Sequence, residues 1–216
     1  MKIPKLVRTV AICGFSALCS AASLGTFDSD SGVSEAQKPG NVEFNAATGE
    51  YRVTGGGGDI WGKSDGFHYV WKKVSGDVSI TADAQFVGTG AMAHRKAALM
   101  IRQSLDPDSA YADAVVHGDG LTSLQFRPAA GEMSQDVKVV AKSDLSAPVR
   151  LRIDRHGDSF TVSAGKPDEP STSGTLTTIV LHDPVYVGLA VSSHNPDVLE
   201  TAVFSKVAVQ TLAPGK

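Results

Sequence analysis

The chain has 216 residues, 42% hydrophobic and 20% charged, with a formal net charge of -3 at neutral pH. A mildly acidic chain without a basic run excludes nucleic acid and anionic membrane as expected partners, because both are bound through clustered Lys and Arg. Both cysteines, Cys13 and Cys19, fall in the N-terminal segment described next, so disulfides and thiolate chemistry are excluded from the rest of the chain.

Lys2, Lys5 and Arg8 form a positive start, residues 10–18 an apolar run, and Ser20-Ala21-Ala22 a small-residue site. This order predicts a signal peptide over residues 1–22, with cleavage near Ala22 and a secreted or periplasmic product. The apolar run is shorter than the ~20 residues of a membrane span, and no later window replaces it, so no transmembrane span is expected. Lipid anchoring at Cys19 is disfavoured because the bulky Leu18 sits where a lipobox has a small residue. Removal of the leader leaves about 194 residues and moves the charge to -6, a size that suits one all-β domain. Residues 23–40 are rich in Ser, Asp and Gly without periodicity and are read as a flexible leader to a domain spanning 41–212.

From Asn41 onward, short alternating segments are punctuated by Gly, Asp, Pro and Ser. Strands are predicted at 42–44, 50–54, 67–74, 77–86, 97–103, 111–117, 121–127, 149–154, 159–163, 185–192 and 201–210. Ile80, Ala82, Ala84 and Phe86 share one face of their strand, and Ser79, Thr81, Asp83 and Gln85 the other. Hairpin turns fit Ser75-Gly76-Asp77, Gly118-Asp119-Gly120 and His156-Gly157-Asp158. Residues 164–174, with Pro167 and Pro170, read as a flexible loop. No window has convincing helical periodicity and no internal repeat is present. The expectation is all-β: an antiparallel two-sheet sandwich or a closed barrel.

The stretch GGGGDIWGKSDGFHYVWKK, residues 55–73, carries two enzyme-like spellings. Gly57, Gly62, Lys63 and Ser64 match a phosphate loop, and residues 62–66 match the Gly-x-Ser-x-Gly nucleophile elbow. Both need a helix to follow: the first for its free N–H groups, the second to expose the serine on a strained turn. Here Asp65-Gly66 leads into an aromatic strand, so the stretch reads as a turn plus a strand, with Trp61 plugging the end of the sandwich.

Over 44–209 the chain resembles a secreted bacterial domain of the concanavalin A-like lectin/glucanase superfamily. The resemblance rests on Asp59-Ile60-Trp61-Gly62, Met100-Ile101-Arg102-Gln103-Ser104-Leu105 and Tyr186-Val187-Gly188-Leu189-Ala190-Val191. The branch is one with "regulation of enolase"-like domains, often joined to carbohydrate-active enzymes or Tol-type propellers. The resemblance implies a jelly-roll sandwich with one convex and one concave sheet, and in lectin-like members the concave face or its rim loops bind sugar. Relatives often carry an Asp-Gly-x-Trp turn where this chain has Lys166-Pro167-Asp168-Glu169, which removes one stacking aromatic.

Alternation places Tyr69 and Trp71 on one face, as it does Tyr111, Asp113 and His117, and Ser123, Gln125 and Arg127. The hairpin at 118–120 makes the last two sets neighbours, with Arg102 beside them. Amides, carboxylates and guanidinium groups bond sugar hydroxyls, and aromatic faces stack on sugar C–H surfaces. The candidate ligand-binding residues are therefore Tyr69, Trp71, Arg102, Tyr111, Asp113, His117, Gln125 and Arg127, forming a trough open to water. An antiparallel sheet also leaves polar residues on a solvent face without any ligand, and packing accounts equally well for Tyr69 and Trp71.

Catalysis finds no motif. The Glu-x-Asp-x-(x)-Glu strand of the related glucanases is missing, and no other carboxylates are spaced as a glycosidase pair on one strand. The six histidines show no zinc spacing, and His194, in a turn, reads as a structural hydrogen-bonder. No cofactor is expected; calcium on Asp59, Asp65 or Asp197 would need no fixed motif, and nothing calls for it. The sequence thus points to a secreted non-catalytic module binding a polysaccharide or glycan. The alternatives are an interaction module for an envelope protein, or a hydrolase with an unrecognised carboxylate pair.

Overall fold

A computed structural model describes residues 23–34, 38–169, 171–176 and 179–213, among which lie fourteen strands and no helix. They are β1 (Ser29–Val33), β2 (Asn41–Asn45), β3 (Glu50–Gly55), β4 (Phe67–Val74), β5 (Val78–Phe86), β6 (Lys96–Arg102) and β7 (Tyr111–His117). There follow β8 (Leu121–Arg127), β9 (Gln135–Lys142), β10 (Val149–His156), β11 (Ser159–Gly165), β12 (Thr172–Leu176), β13 (Val185–Ser192) and β14 (Glu200–Thr211). The first sheet has the order β1-β4-β13-β6-β7-β8-β9 and the second β12-β11-β10-β5-β14-β3-β2, all pairings antiparallel. The expected jelly-roll sandwich is what forms.

Period two explains why the sheets stack. Ala97, Leu99 and Ile101 of β6 and Ala112, Ala114 and Val116 of β7 turn inward, onto Ile80, Ala82 and Ala84 of β5 and Leu151 and Ile153 of β10. Small and branched side chains facing one another let the two sheets interdigitate. The other side of the first sheet, turned away from this core, bears Lys96, Met100, Arg102, Tyr111, Asp113, His117, Ser123, Gln125 and Arg127.

The eleven segments read as strands coincide with β2 to β8, β10, β11, β13 and β14. Three strands escaped that reading. The flexible leader expected over 23–40 contains β1, which pairs with β4, and Phe27, which packs edge-on against Tyr51 at 5.1 Å with 5% of its surface exposed. Its polar composition reflects an edge strand that buries few side chains, Val33 foremost. The loop expected over 164–174 contains the end of β11 and the start of β12, a Ser- and Thr-rich edge strand. β9 pairs with β8 through two register shifts, which break the period-two signal. The signal-peptide segment 1–22 lies outside the described residues. No helix among the described residues is long and apolar enough to cross a membrane.

Candidate functional site

The outward side of the first sheet is covered at one end and open at the other. The cover is the glycine-rich strap over 55–66. It leaves β3 where a Cβ on Gly55 would lie 2.0 Å from the Val191 carbonyl, so only glycine lets the chain pass that close. Ile60 from the strap is fully buried against Phe67, Tyr69, Met100, Tyr111 and Val115, giving this side of the sheet a second apolar cluster.

Asp65 anchors the strap. Arg127 grips it from two sides, Nη1 to Oδ2 at 2.8 Å and Nη2 to Oδ1 at 2.5 Å, and Arg102 Nη1 lies 3.5 Å from Oδ2. Arg127 also donates to the carbonyls of Gly62, Pro107, Ser109 and Glu132, and Arg102 to those of Ser104 and Asp106. These two guanidiniums tie three loops to the sheet, and their donors are consumed in doing so. Burial, the largest influence, pushes the Asp65 carboxyl above its ordinary value, opposed by the bond and charge of Arg127 and the charge of Arg102.

The expected water-open trough is therefore corrected. Arg102, Arg127, Tyr69, Tyr111 and Asp113 are each 0% exposed. Tyr69 donates to the carbonyls of Met100 and Tyr186 at 3.0 and 3.1 Å, and Tyr111 shares a bond with Ser134 Oγ at 3.1 Å. Burial raises both phenol pKa values. Trp71 lies half-buried, edge-on to Tyr186 at 4.9 Å. Burial also holds the Asp113 carboxyl well above its ordinary range, and neither of its oxygens has a hydrogen-bond partner among the described residues. The physical reason for the closure is that three loops fold over this end of the sheet, which strand alternation cannot reveal.

At the other end, where β6 begins and β7 finishes, a cleft of about 320 Å³ remains. Its floor is His117 and Gln125, the two sequence candidates that line it, and its walls include Trp61, His94, Lys96, His194 and Asp136. The His117 Nδ1 lies 2.9 Å from the Leu121 carbonyl, which only accepts, so Nδ1 carries the proton. Burial, followed by the charge of Lys96, lowers the His117 pKa to about 4, leaving Nε2 bare at neutral pH. Nε2 then accepts from Gln125 Nε2 at 3.4 Å, which turns Gln125 Oε1 away as a buried acceptor with no partner among the described residues.

The walls are equally defined. Lys96 Nζ donates to Asp59 Oδ1 at 2.6 Å and to the Ile60 carbonyl at 2.8 Å, and sits 5.6 Å from the Trp61 ring centre. His194 Nδ1 lies 3.3 Å from Asp59 Oδ2, and the His94 ring is 5.8 Å from that of His117 and 5.6 Å from that of His194. His194 adopts φ 58°, a left-handed conformation that costs a non-glycine residue about 1–2 kcal/mol. Its turn is held by Ser193 Oγ, which bonds the carbonyls of Gly57 and Asn195 at 3.2 and 2.6 Å.

Two larger hollows, of about 510 and 470 Å³, lie over the second sheet. Their polar groups are exposed, as at Glu43 and Arg52, or paired, Arg150 with Asp83 and Arg152 with Asp154. Neither holds a buried acceptor in search of a donor among the described residues, so the smaller cleft is the stronger candidate. No group of three or more His, Cys, Asp or Glu among the described residues is placed to hold a metal ion. Of the carboxylates considered for calcium, Asp59 is taken up by Lys96 and Asp65 by Arg127. Sequence reasoning had set Trp61 and His194 aside as structural and passed over His94, Lys96 and Asp136 as site residues. The Asp59-Ile60-Trp61 run inside a glycine-rich loop was the one signal that pointed here.

No family model and no curated protein matches the chain. Solved structures do. A protein of unknown function from Saccharomyces cerevisiae aligns over 82% of this chain and 95% of its own, with a TM-score of 0.63 and 16% identity. The carbohydrate-binding module CBM66 from Bacillus subtilis aligns over 86% and 98%, with a TM-score of 0.56 and 15% identity. The lectin UEA-II, solved with galactose, aligns over 87% and 100%, with a TM-score of 0.53 and 11% identity. The chain has the jelly-roll fold. At such identities the likeness establishes the architecture and leaves function to the site.

Proposed function

We propose that this chain is an exported glycan-binding module that binds without cleaving, and that the sugar enters the cleft between Trp61 and the floor made by His117 and Gln125. The observation that carries the reading is Gln125, a floor residue 5% exposed in a cleft rimmed by an aromatic ring, whose Oε1 is a buried acceptor without a partner among the described residues. A buried acceptor without a donor costs about 1–3 kcal/mol, a penalty that a sugar hydroxyl relieves on binding. Trp61 supplies a flat apolar wall for sugar C–H groups, and His94 and His194 supply further polar contacts. Carbohydrate-binding proteins among the structural neighbours support the same reading. Export rests on the signal-peptide pattern over 1–22, and membership of the "regulation of enolase"-like branch on the sequence blocks given above. Of the eight residues expected to touch ligand, His117 and Gln125 keep that role; Arg102, Arg127, Tyr69 and Tyr111 support the site by fixing the covered end.

Titration calorimetry against a polysaccharide panel tests this, with reducing-sugar release measured in parallel. Gln125→Ala and Trp61→Ala should each weaken binding about tenfold while the fold stays intact. Unchanged affinity in both variants would remove the cleft from consideration, glycan-free capture of an envelope protein would favour the interaction module, and sugar release would favour a hydrolase.

A further inference from the structure

The described cations that face Asp65 or line the cleft are all committed. Arg127 is held by both oxygens of Asp65, and Arg102 by Asp65 and two carbonyls, beneath the strap and out of reach. Lys96, the one cation among the described residues lining the cleft, is bound to Asp59 at 2.6 Å and to the Ile60 carbonyl at 2.8 Å. A lysine satisfied in this way offers little charge to a ligand, because the pair is neutral overall. His117 is uncharged at neutral pH and already bonded at both ring nitrogens. The opposite rim carries Asp136, an exposed carboxylate from β9 that stands across from Gln125 in the ladder and has no ion-pair partner among the described residues. Among the described lining residues, the uncompensated charge of the cleft is therefore a single negative one.

We propose that the cleft selects uncharged glycans, and that Asp136 is the residue that rejects uronate-containing and sulfated chains. This rests on the glycan-binding reading of the same cleft and adds the chemical class of its ligand. An anionic sugar laid against the floor would bring its carboxylate or sulfate toward Asp136 with no free cation among the described lining residues to receive it. Like charges set close together discriminate between otherwise equal partners. The specificity is thus built by repulsion at the rim and hydrogen bonding at the floor.

The test uses matched ligands at pH 8, where an imidazole is uncharged. Glucans, fructans, xylans, galactans and mannans are each titrated beside their carboxymethylated and sulfated derivatives in low salt. Wild-type protein should bind the neutral member of a pair about fivefold or more tightly than its anionic derivative, and the gap should narrow in ~0.5 M salt. Asp136→Lys, at an exposed position where the fold tolerates change, should reverse the ratio. Anionic derivatives bound as tightly as neutral chains, or a ratio unmoved by Asp136→Lys, would overturn the selectivity and leave glycan binding standing. Binding to no member of any pair would overturn both.

Discussion

The same three neighbouring strands build both ends of the outward side of the first sheet, with opposite results. Where β6 finishes, Arg102 stands beside Tyr111 and Tyr111 beside Arg127; where β6 begins, Lys96 stands beside His117. All of these are polar or amphipathic side chains on the same face of the same sheet. At the first end the strap folds over them, Ile60 fills the space, and Asp65 receives the arginines. At the second end the strap has already turned aside, and its Asp59 and Trp61 become walls instead of a lid. A polar residue on a sheet face thus becomes structure or site according to what a distant loop does. That decision is made some forty to sixty positions away, in residues 55–66.

The contrast is open to direct attack, beginning at the covered end. Arg127→Ala would leave Asp65 facing Arg102 alone and take the donor from the Ser109 and Glu132 carbonyls, and should cost about 4 kcal/mol in urea denaturation. A loss below about 1 kcal/mol would mean that the strap is not held by this pair. The open end should report through pH. The His117 pKa of about 4 lies below the ordinary ~6.5, so the unfolded chain binds the proton more readily than the folded one. Stability from this group is full above pH 6.5 and is lost as pH falls toward 4, by about 3 kcal/mol in all. The His117→Gln variant should lack that part of the slope, and an identical slope would show that the imidazole is solvated.

Between the two ends lies Asp113. Its carboxyl is raised, so the cost of keeping it protonated is absent at low pH and grows as pH rises above ~3.8. Asp113→Asn should accordingly raise stability at pH 7 and leave it unchanged near pH 3, measured in parallel melts. A destabilised variant at pH 7 would reveal an ionised, partnered carboxylate. The smallest effect is expected at Trp71, half-buried against Tyr186 at the covered end. Trp71→Ala should leave glycan affinity within about twofold, in contrast to the tenfold expected for Trp61→Ala.

Much of the architecture was legible because period-two alternation is local: Ile80, Ala82 and Ala84 declare their inward face within nine residues of β5. Alternation also placed Asp113, His117, Gln125 and Arg127 on one side correctly. What it could not supply was the path of 55–66, since a loop has no period, and the contacts of Asp65 with Arg127 span 62 positions. β1 was missed for a related reason: Ser29, Asp30, Ser31 and Gly32 resemble a linker in composition, and only the unpaired edge of β4 gives them a partner. His194 was invisible as a site residue because its direction depends on a left-handed turn and not on any strand.

The chain's two tryptophans, Trp61 and Trp71, sit at the open and covered ends respectively, which makes their indole N–H signals a direct readout. A nitrogen–proton correlation spectrum recorded while a bound glycan is titrated in should move the Trp61 indole and the Gln125 side-chain amide and leave the Trp71 indole in place. Movement of the Trp71 indole with Trp61 and Gln125 unmoved would place the ligand under or beside the strap and contradict the assignment of the site.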